Sequence, residues 1–263
     1  MTTKTTIKNR LTELFKSRNN NLLNIYFTAG FPSLNDTVTI AKALEGAGAD
    51  MIEIGMPFSD PLADGPTIQQ SNDIALKNGM SIKLLFEQLR DIRKEVKIPI
   101  LLMGYLNPVL QYGMEDFCKK CYETGIDGLI IPDLPIQEYN EMYRGLFEAN
   151  QLSNVFLVTP HTSVSRLRLI DESSQGFIYI VSTDSTTGNT KTVYDAEHYF
   201  KRIKDESLTN PTMIGFNIRD NASFRFACTY CNGAIIGSAF IKMIKDSKDL
   251  VKDIKSFVSS VKK

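Results

Sequence analysis

The chain has 263 residues, 43% of them apolar and 23% charged, the balance of a folded globular protein able to bury a sizeable core. Its 30 Lys and Arg cancel its 30 Asp and Glu, so no global basic field draws nucleic acid or an anionic membrane, and an anionic ligand must be held by local groups. The opening MTTKTTIKNRLTELF lacks the apolar core of a signal peptide and no stretch approaches the roughly 18 apolar residues that span a bilayer, so the expectation is a cytoplasmic protein.

In chain order, Ile7, Leu11, Leu14 and Phe15 share one helical face, and an apolar, β-branched run follows over 23–28. A helical segment over 35–46 precedes a second run over 51–55. Further runs cover 98–103, 128–131, 155–159, 177–182, 212–216 and 234–237, with helical spacing over 81–95, 114–124, 136–149, 165–173, 193–204 and 221–231 between them. A short helix over 239–244 and an amphipathic one with Leu250, Ile254, Phe257, Val258 and Val261 on one face close the chain. Strands apolar on both faces and alternating with helices imply a parallel sheet inside a ring of helices. Eight such units match the α/β class and a (β/α)8 TIM barrel, usually about 250 residues long, here with extra terminal helices and one domain over residues 1–263. An open doubly wound sheet is the alternative, but Gly46-Ala-Gly48 precedes a strand instead of following one, the wrong context for dinucleotide binding.

The four cysteines form two Cys-x-x-Cys pairs, Cys118/Cys121 and Cys228/Cys231, each in a helix-like segment. That spacing puts both thiols on one helical face, and buried-face packing is favoured over a zinc site. Of the two histidines, His161 follows an apolar run and is placed to face a pocket.

Residues Ile52 to Pro66, IEIGMPFSDPLADGP, concentrate the chemistry. Glu53 interrupts an otherwise buried run, and an ionised carboxylate there is costly without a partner. Asp60 and Asp64 follow on a turn-rich loop. Barrel active sites lie at the C-terminal ends of the strands, which gathers Glu53, Asp64, Tyr105, Asn107, Asp133 and Tyr179 at one mouth. Asp133, between prolines, also fits a plain turn. Gly215-Phe216-Asn217 and Gly237-Ser238 end the last two runs, where barrels bind phosphate through backbone N–H groups. The small-residue loop STDSTTGNTKT, centred on Gly188, suits ordering over a ligand. The expected ligand is a small phosphorylated molecule with an apolar portion, handled by general acid–base chemistry. No lysine sits at a strand end for a Schiff base, and no metal set emerges.

IEIGMPFSDPLADGP, LLMGYLNPV, DGLIIPDLP and GAIIGSAF together resemble the tryptophan synthase α-subunit family, along nearly the whole chain. The resemblance implies a lyase that cleaves indole-3-glycerol phosphate to indole and glyceraldehyde 3-phosphate. It makes Glu53 the acid–base and Asp64 the acceptor of the indole N–H, with Tyr179 beside them. Tyr26, Tyr105, Ile130 and Phe216 would line the indole pocket, and Gly188, Gly215, Asn217, Gly237 and Ser238 would hold phosphate. It also implies docking on a β subunit in an αββα heterotetramer, with Asp60 at the contact, no cofactor in this chain and pyridoxal phosphate in the partner. Two stretches depart from the family pattern: STDSTTG has Thr183 where an arginine is usual, and GFNIR replaces Gly-Phe-Gly-Ile-Ser. The alternatives are a non-catalytic subunit that activates a β partner, or another phosphosugar-handling barrel enzyme.

Overall fold

The computed structural model describes residues 7–182 and 192–263. Eight parallel strands close into a barrel in sequence order: β1 (Leu22–Thr28), β2 (Met51–Gly55), β3 (Ile100–Met103), β4 (Gly128–Ile130), β5 (Ser153–Val158), β6 (Ile178–Val181), β7 (Thr212–Gly215) and β8 (Gly233–Ile236). The expected TIM barrel is the fold found, with strand limits moved by one or two residues.

Period-two alternation along each strand divides the core. Outward residues such as Ile25, Ile54, Leu102 and Ile214 pack under the helices, whereas Leu22, Met51, Leu101, Ile130, Val155, Met213 and Ile235 fill the barrel interior. The lower end is plugged by Leu11 from the helix Arg10–Ser17 and by Phe177. Buried Asp127 ties that end together, accepting the Ile100 N–H at 2.9 Å and pairing with Arg93 at 2.5 Å and Arg10 at 3.3 Å.

Several expectations are corrected. Ile7 is buried but precedes the first helix, which starts at Arg10 after the capping residue Asn9. The segment 81–95 breaks at Arg90–Asp91 into Ile82–Leu89 and Ile92–Glu95. A π turn at Tyr139–Tyr143 interrupts 136–149. Two helices not foreseen, Pro66–Lys77 and Leu106–Tyr112, follow β2 and β3. Cys118 and Cys121 are buried on one helix as expected, but the second helix ends at Cys228, leaving Cys231 beyond it and both partly exposed. The Cys231 thiol donates to the Ala227 and Gly233 carbonyls instead.

Candidate active site

The upper mouth of the barrel holds two adjoining cavities, of about 440 and 550 Å³, that share Tyr26, Asp64, Met103 and Phe216 as walls. The smaller is mostly apolar, with Met56, Leu157 and Val181, and takes in Tyr105 and His161. The larger runs past Tyr179 to Asn217, Gly237 and Ser238. An apolar lobe therefore adjoins a polar one, with Asp64 on the wall of both.

Glu53 lies inside the barrel with no exposed surface. Its Oε1 accepts the Asn24 Nδ2–H at 2.5 Å, and its Oε2 has no hydrogen-bond partner. Burial pushes its carboxyl up to about 8, against the opposing pull of the Asn24 hydrogen bond. The group is therefore mostly protonated at neutral pH. Asp64, half-buried on the loop, is raised by burial to about 6, with the Tyr105 hydroxyl donating to its Oδ2 at 3.2 Å and pulling the other way. Glu53 lines neither cavity, so near pH 7 a protonated carboxyl inside the barrel accompanies an ionised one, Asp64, on the cavity wall.

Two glycines make room for the tyrosines above Glu53. A Cβ on Gly55 would fall into the Tyr26 hydroxyl, and one on Gly215 into the Tyr179 hydroxyl. Both phenols are pushed up by burial first and by the charges of Glu53 and Asp64 after it, so both stay neutral. Gly215 thus stands behind Tyr179, off the cavity walls, and Ile130 is fully buried in the barrel interior and likewise lines neither cavity. Asp133 takes the plain reading: its Oδ1 accepts the Leu106 N–H at 2.9 Å at the start of the helix Leu106–Tyr112.

At the polar lobe the backbone turns left-handed at Phe216 (φ 65°) and Asn217 (φ 57°), with the Phe216 carbonyl tied to the Ser182 hydroxyl at 2.8 Å. Asn tolerates that conformation, while a bulky Phe is strained in it, so surrounding contacts must hold the turn. The helix Ser238–Lys245 begins at the same lobe, where the N–H groups of a first turn lack intrahelical partners. Gly188 and Thr183 lie outside the described residues. Asn24, Arg219 and Lys242 do not stand out in the sequence as site residues, although the last two line the polar lobe. Asn24 does carry a signal of its own, an amide in the otherwise apolar run LLNIYFT. Among the described residues, no group of three or more His, Cys, Asp and Glu is placed to hold a metal ion, and no helix is long and apolar enough to cross a membrane.

The model of the family described as tryptophan synthase alpha chain matches residues 12–263. The chain belongs to this family. It is 58% identical over 242 residues to the tryptophan synthase alpha chain of Christiangramia forsetii, covering 92% of this chain and 94% of that one. The Parabacteroides distasonis alpha chain is 48% identical over 255 residues, covering 97% and 99%. Among solved structures, tryptophan synthase subunit alpha from Legionella pneumophila superposes with a TM-score of 0.87 at 31% identity, over 97% of each chain. Tryptophan synthase from M. tuberculosis in an aminoacrylate-bound form gives 0.85 at 29% identity, over 97% of this chain and 98% of that one. As a member of this family, the chain is a lyase of tryptophan biosynthesis.

Proposed function

We propose that Glu53 and Asp64 carry the cleavage of indole-3-glycerol phosphate to indole and glyceraldehyde 3-phosphate. The observation that supports this most is the protonated, fully buried Glu53 with an unpartnered Oε2, which together with the cavity-wall Asp64 bears on Tyr26 and Tyr179. The apolar lobe suits the indole ring, and the lobe ending at Asn217, Gly237 and Ser238 suits the phosphate.

The Glu53 proton passes to indole C3. The C2=C3 π electrons form the new C–H bond and the ring nitrogen lone pair forms N=C2, leaving a cationic indolenine. Asp64 accepts the ring N–H and stabilises that charge. The Glu53 carboxylate then takes the proton of the glycerol hydroxyl. Its O–H electrons become the carbonyl of the aldehyde, and the C3–C bond breaks with its pair restoring C2=C3 and the nitrogen lone pair. Glu53 ends protonated, as it began. The indolenine is the electron sink, so neither an imine nor a metal is required. Lys242 is the one lysine on the walls of the two mouth cavities, among the described residues, and it is exposed beside Ser238 in the polar lobe. The site therefore does not fit pyridoxal phosphate, which we assign to the β partner.

We further infer a cytoplasmic αββα complex with a β subunit. Asp60 and its neighbour Leu62, 83% exposed, present the loop before Asp64 to such a partner. The test is indole release from indole-3-glycerol phosphate by the chain with a β subunit. Wild type turns over and Glu53→Gln does not; release by neither, or equally by both, refutes the assignment.

A further inference from the structure

Asn24 is a costly residue for its position. On β1 the inward side chains are Leu22, Asn24 and Tyr26, and the layer around and below Asn24 is Met51, Leu101, Ile130, Val155, Met213 and Ile235. An amide in that setting must lose its water, and Asn24, fully buried, recovers only part of the loss because its Oδ1 has no partner. An aliphatic residue would fill the space without the penalty. What the amide does make is one bond, Nδ2–H to Glu53 Oε1 at 2.5 Å.

That bond has a chemical consequence. A carboxylic acid that accepts on one oxygen carries its proton on the other, and an amide N–H can only donate. We propose that Asn24 is a positioning residue for Glu53: it holds Oε1 and so keeps the transferable proton on Oε2, the oxygen free of protein partners. The proposal rests on the reading of Glu53 as the acid–base. When Oε2–H gives its proton to indole C3, the negative charge left on the carboxylate strengthens the bond from Asn24. The anion is thereby supported in a fully buried position, and Oε2 is the oxygen that recovers the proton from the glycerol hydroxyl. Tyr26 on β1 and Tyr179 on β6, both neutral phenols, also face Glu53, but neither hydroxyl is hydrogen-bonded to it. Asn24 is the one group that donates a hydrogen bond to Glu53 among the described residues.

The test uses Asn24→Leu and Asn24→Asp, each with the β subunit. Indole release is followed across pH, and Glu53 is titrated in the free chain by carbon-13 NMR of its carboxyl. The expected result is a fall in kcat of about 10- to 100-fold, the part of a general acid's contribution that depends on orientation, with KM within about twofold. In Asn24→Leu the Glu53 titration moves to higher pH and the basic limb of the rate profile moves with it. A loss of packing alone moves neither. If Asn24→Leu does not fold, the wild type supplies the reading: the Asn24 side-chain amide proton shifts with the Glu53 titration and stays flat in Glu53→Gln. A flat amide resonance in wild type overturns the proposal, as does an Asn24→Leu enzyme with wild-type kcat and an unmoved Glu53 titration. Cleavage that survives Glu53→Gln instead overturns the functional reading beneath it.

Discussion

The Tyr105 hydroxyl joins β3 to the loop that carries Asp64, accepting the Ala63 N–H at 3.1 Å while donating to Asp64 Oδ2 at 3.2 Å. Its ring packs on Phe58, 5.1 Å between centroids, so the loop is fixed by one aromatic residue at three points. Tyr105→Phe keeps the ring contact and removes both hydrogen bonds. The Asp64 carboxylate loses a donor, so the acidic limb of kcat/KM is expected to move to higher pH and activity at pH 7 to fall by about tenfold, the worth of one hydrogen bond to a charged group. A pH profile of the purified variant checks both.

The two acids predict the shape of that profile in wild type. In the proposed roles Asp64 acts ionised, so kcat/KM is expected to rise through about pH 6, and Glu53 acts protonated, so it is expected to fall through about pH 8. The curve is therefore a bell centred near neutrality. Asp64→Asn should flatten the acidic limb and leave the basic one in place, at lower overall rate. An acidic limb that persists unchanged in Asp64→Asn contradicts the assignment.

Burial of Glu53 also has a cost to folding. Its folded-state pKa is raised, so stability is fully present below the unfolded value near 4.5 and is lost as pH rises toward about 8. Glu53→Gln, which has no proton to lose, is expected to match wild type at pH 4 and to be the more stable protein at pH 8. At about 1.4 kcal/mol per tenfold change in proton affinity, the difference is on the order of 2–5 kcal/mol. Urea titrations at the two pH values measure it.

The barrel was legible because burial on both faces leaves apolar runs that helices separate, and those runs survive in β2 and β7 almost residue for residue. The helix Pro66–Lys77 was not, because its buried face includes Ser71 and Asn72. Ser71 bonds Thr28 at 2.7 Å and Asn72 bonds the Ile68 carbonyl at 3.1 Å, so polar residues stand where the periodicity needs apolar ones. In Leu106–Tyr112 the interior Pro108 hid a seven-residue helix. Glu53 showed itself as a charge in a buried run, whereas its partner Asn24 is neutral, two positions from another polar-tipped residue, and gains meaning only when β1 and β2 pair. Gly215 was visible as a glycine, but only the folded barrel shows Tyr179 occupying the space of its missing side chain.

Gly215→Ala follows from that contact. The methyl group and the Tyr179 hydroxyl cannot share one position, and the obstacle is a ring buried against Phe177 and Phe216. Tyr179 has to rotate out of the site or β7 has to shift. Overpacking of this kind costs about 1–3 kcal/mol, and a lower Tm with reduced kcat is the expected outcome. Adding Tyr179→Phe to Gly215→Ala removes the oxygen but leaves two ring carbons overlapping the added methyl, so the double variant should stay destabilised, which thermal melts of the single and double variants decide.

The polar lobe carries two cations that the acids of the mouth do not neutralise. Arg219 and Lys242 line it with Ser238, and both are exposed. Arg219 Nε stands 3.6 Å from Asp220 Oδ2, an exposed pair that holds the guanidinium only weakly. A phosphate entering beside the first turn of Ser238–Lys245 would therefore meet backbone N–H groups at short range and two exposed positive charges at longer range. The backbone groups set the geometry; the cations add attraction that salt screens over about 10 Å. Arg219→Ser and Lys242→Ala should each raise KM by about two- to fivefold, the worth of one exposed charge pair, with kcat unchanged. Raising ionic strength should weaken wild type toward the variants, because the term being removed is the same one. KM measured at low and high salt for the three proteins decides it: an equal salt response in all three places the binding energy entirely in the backbone.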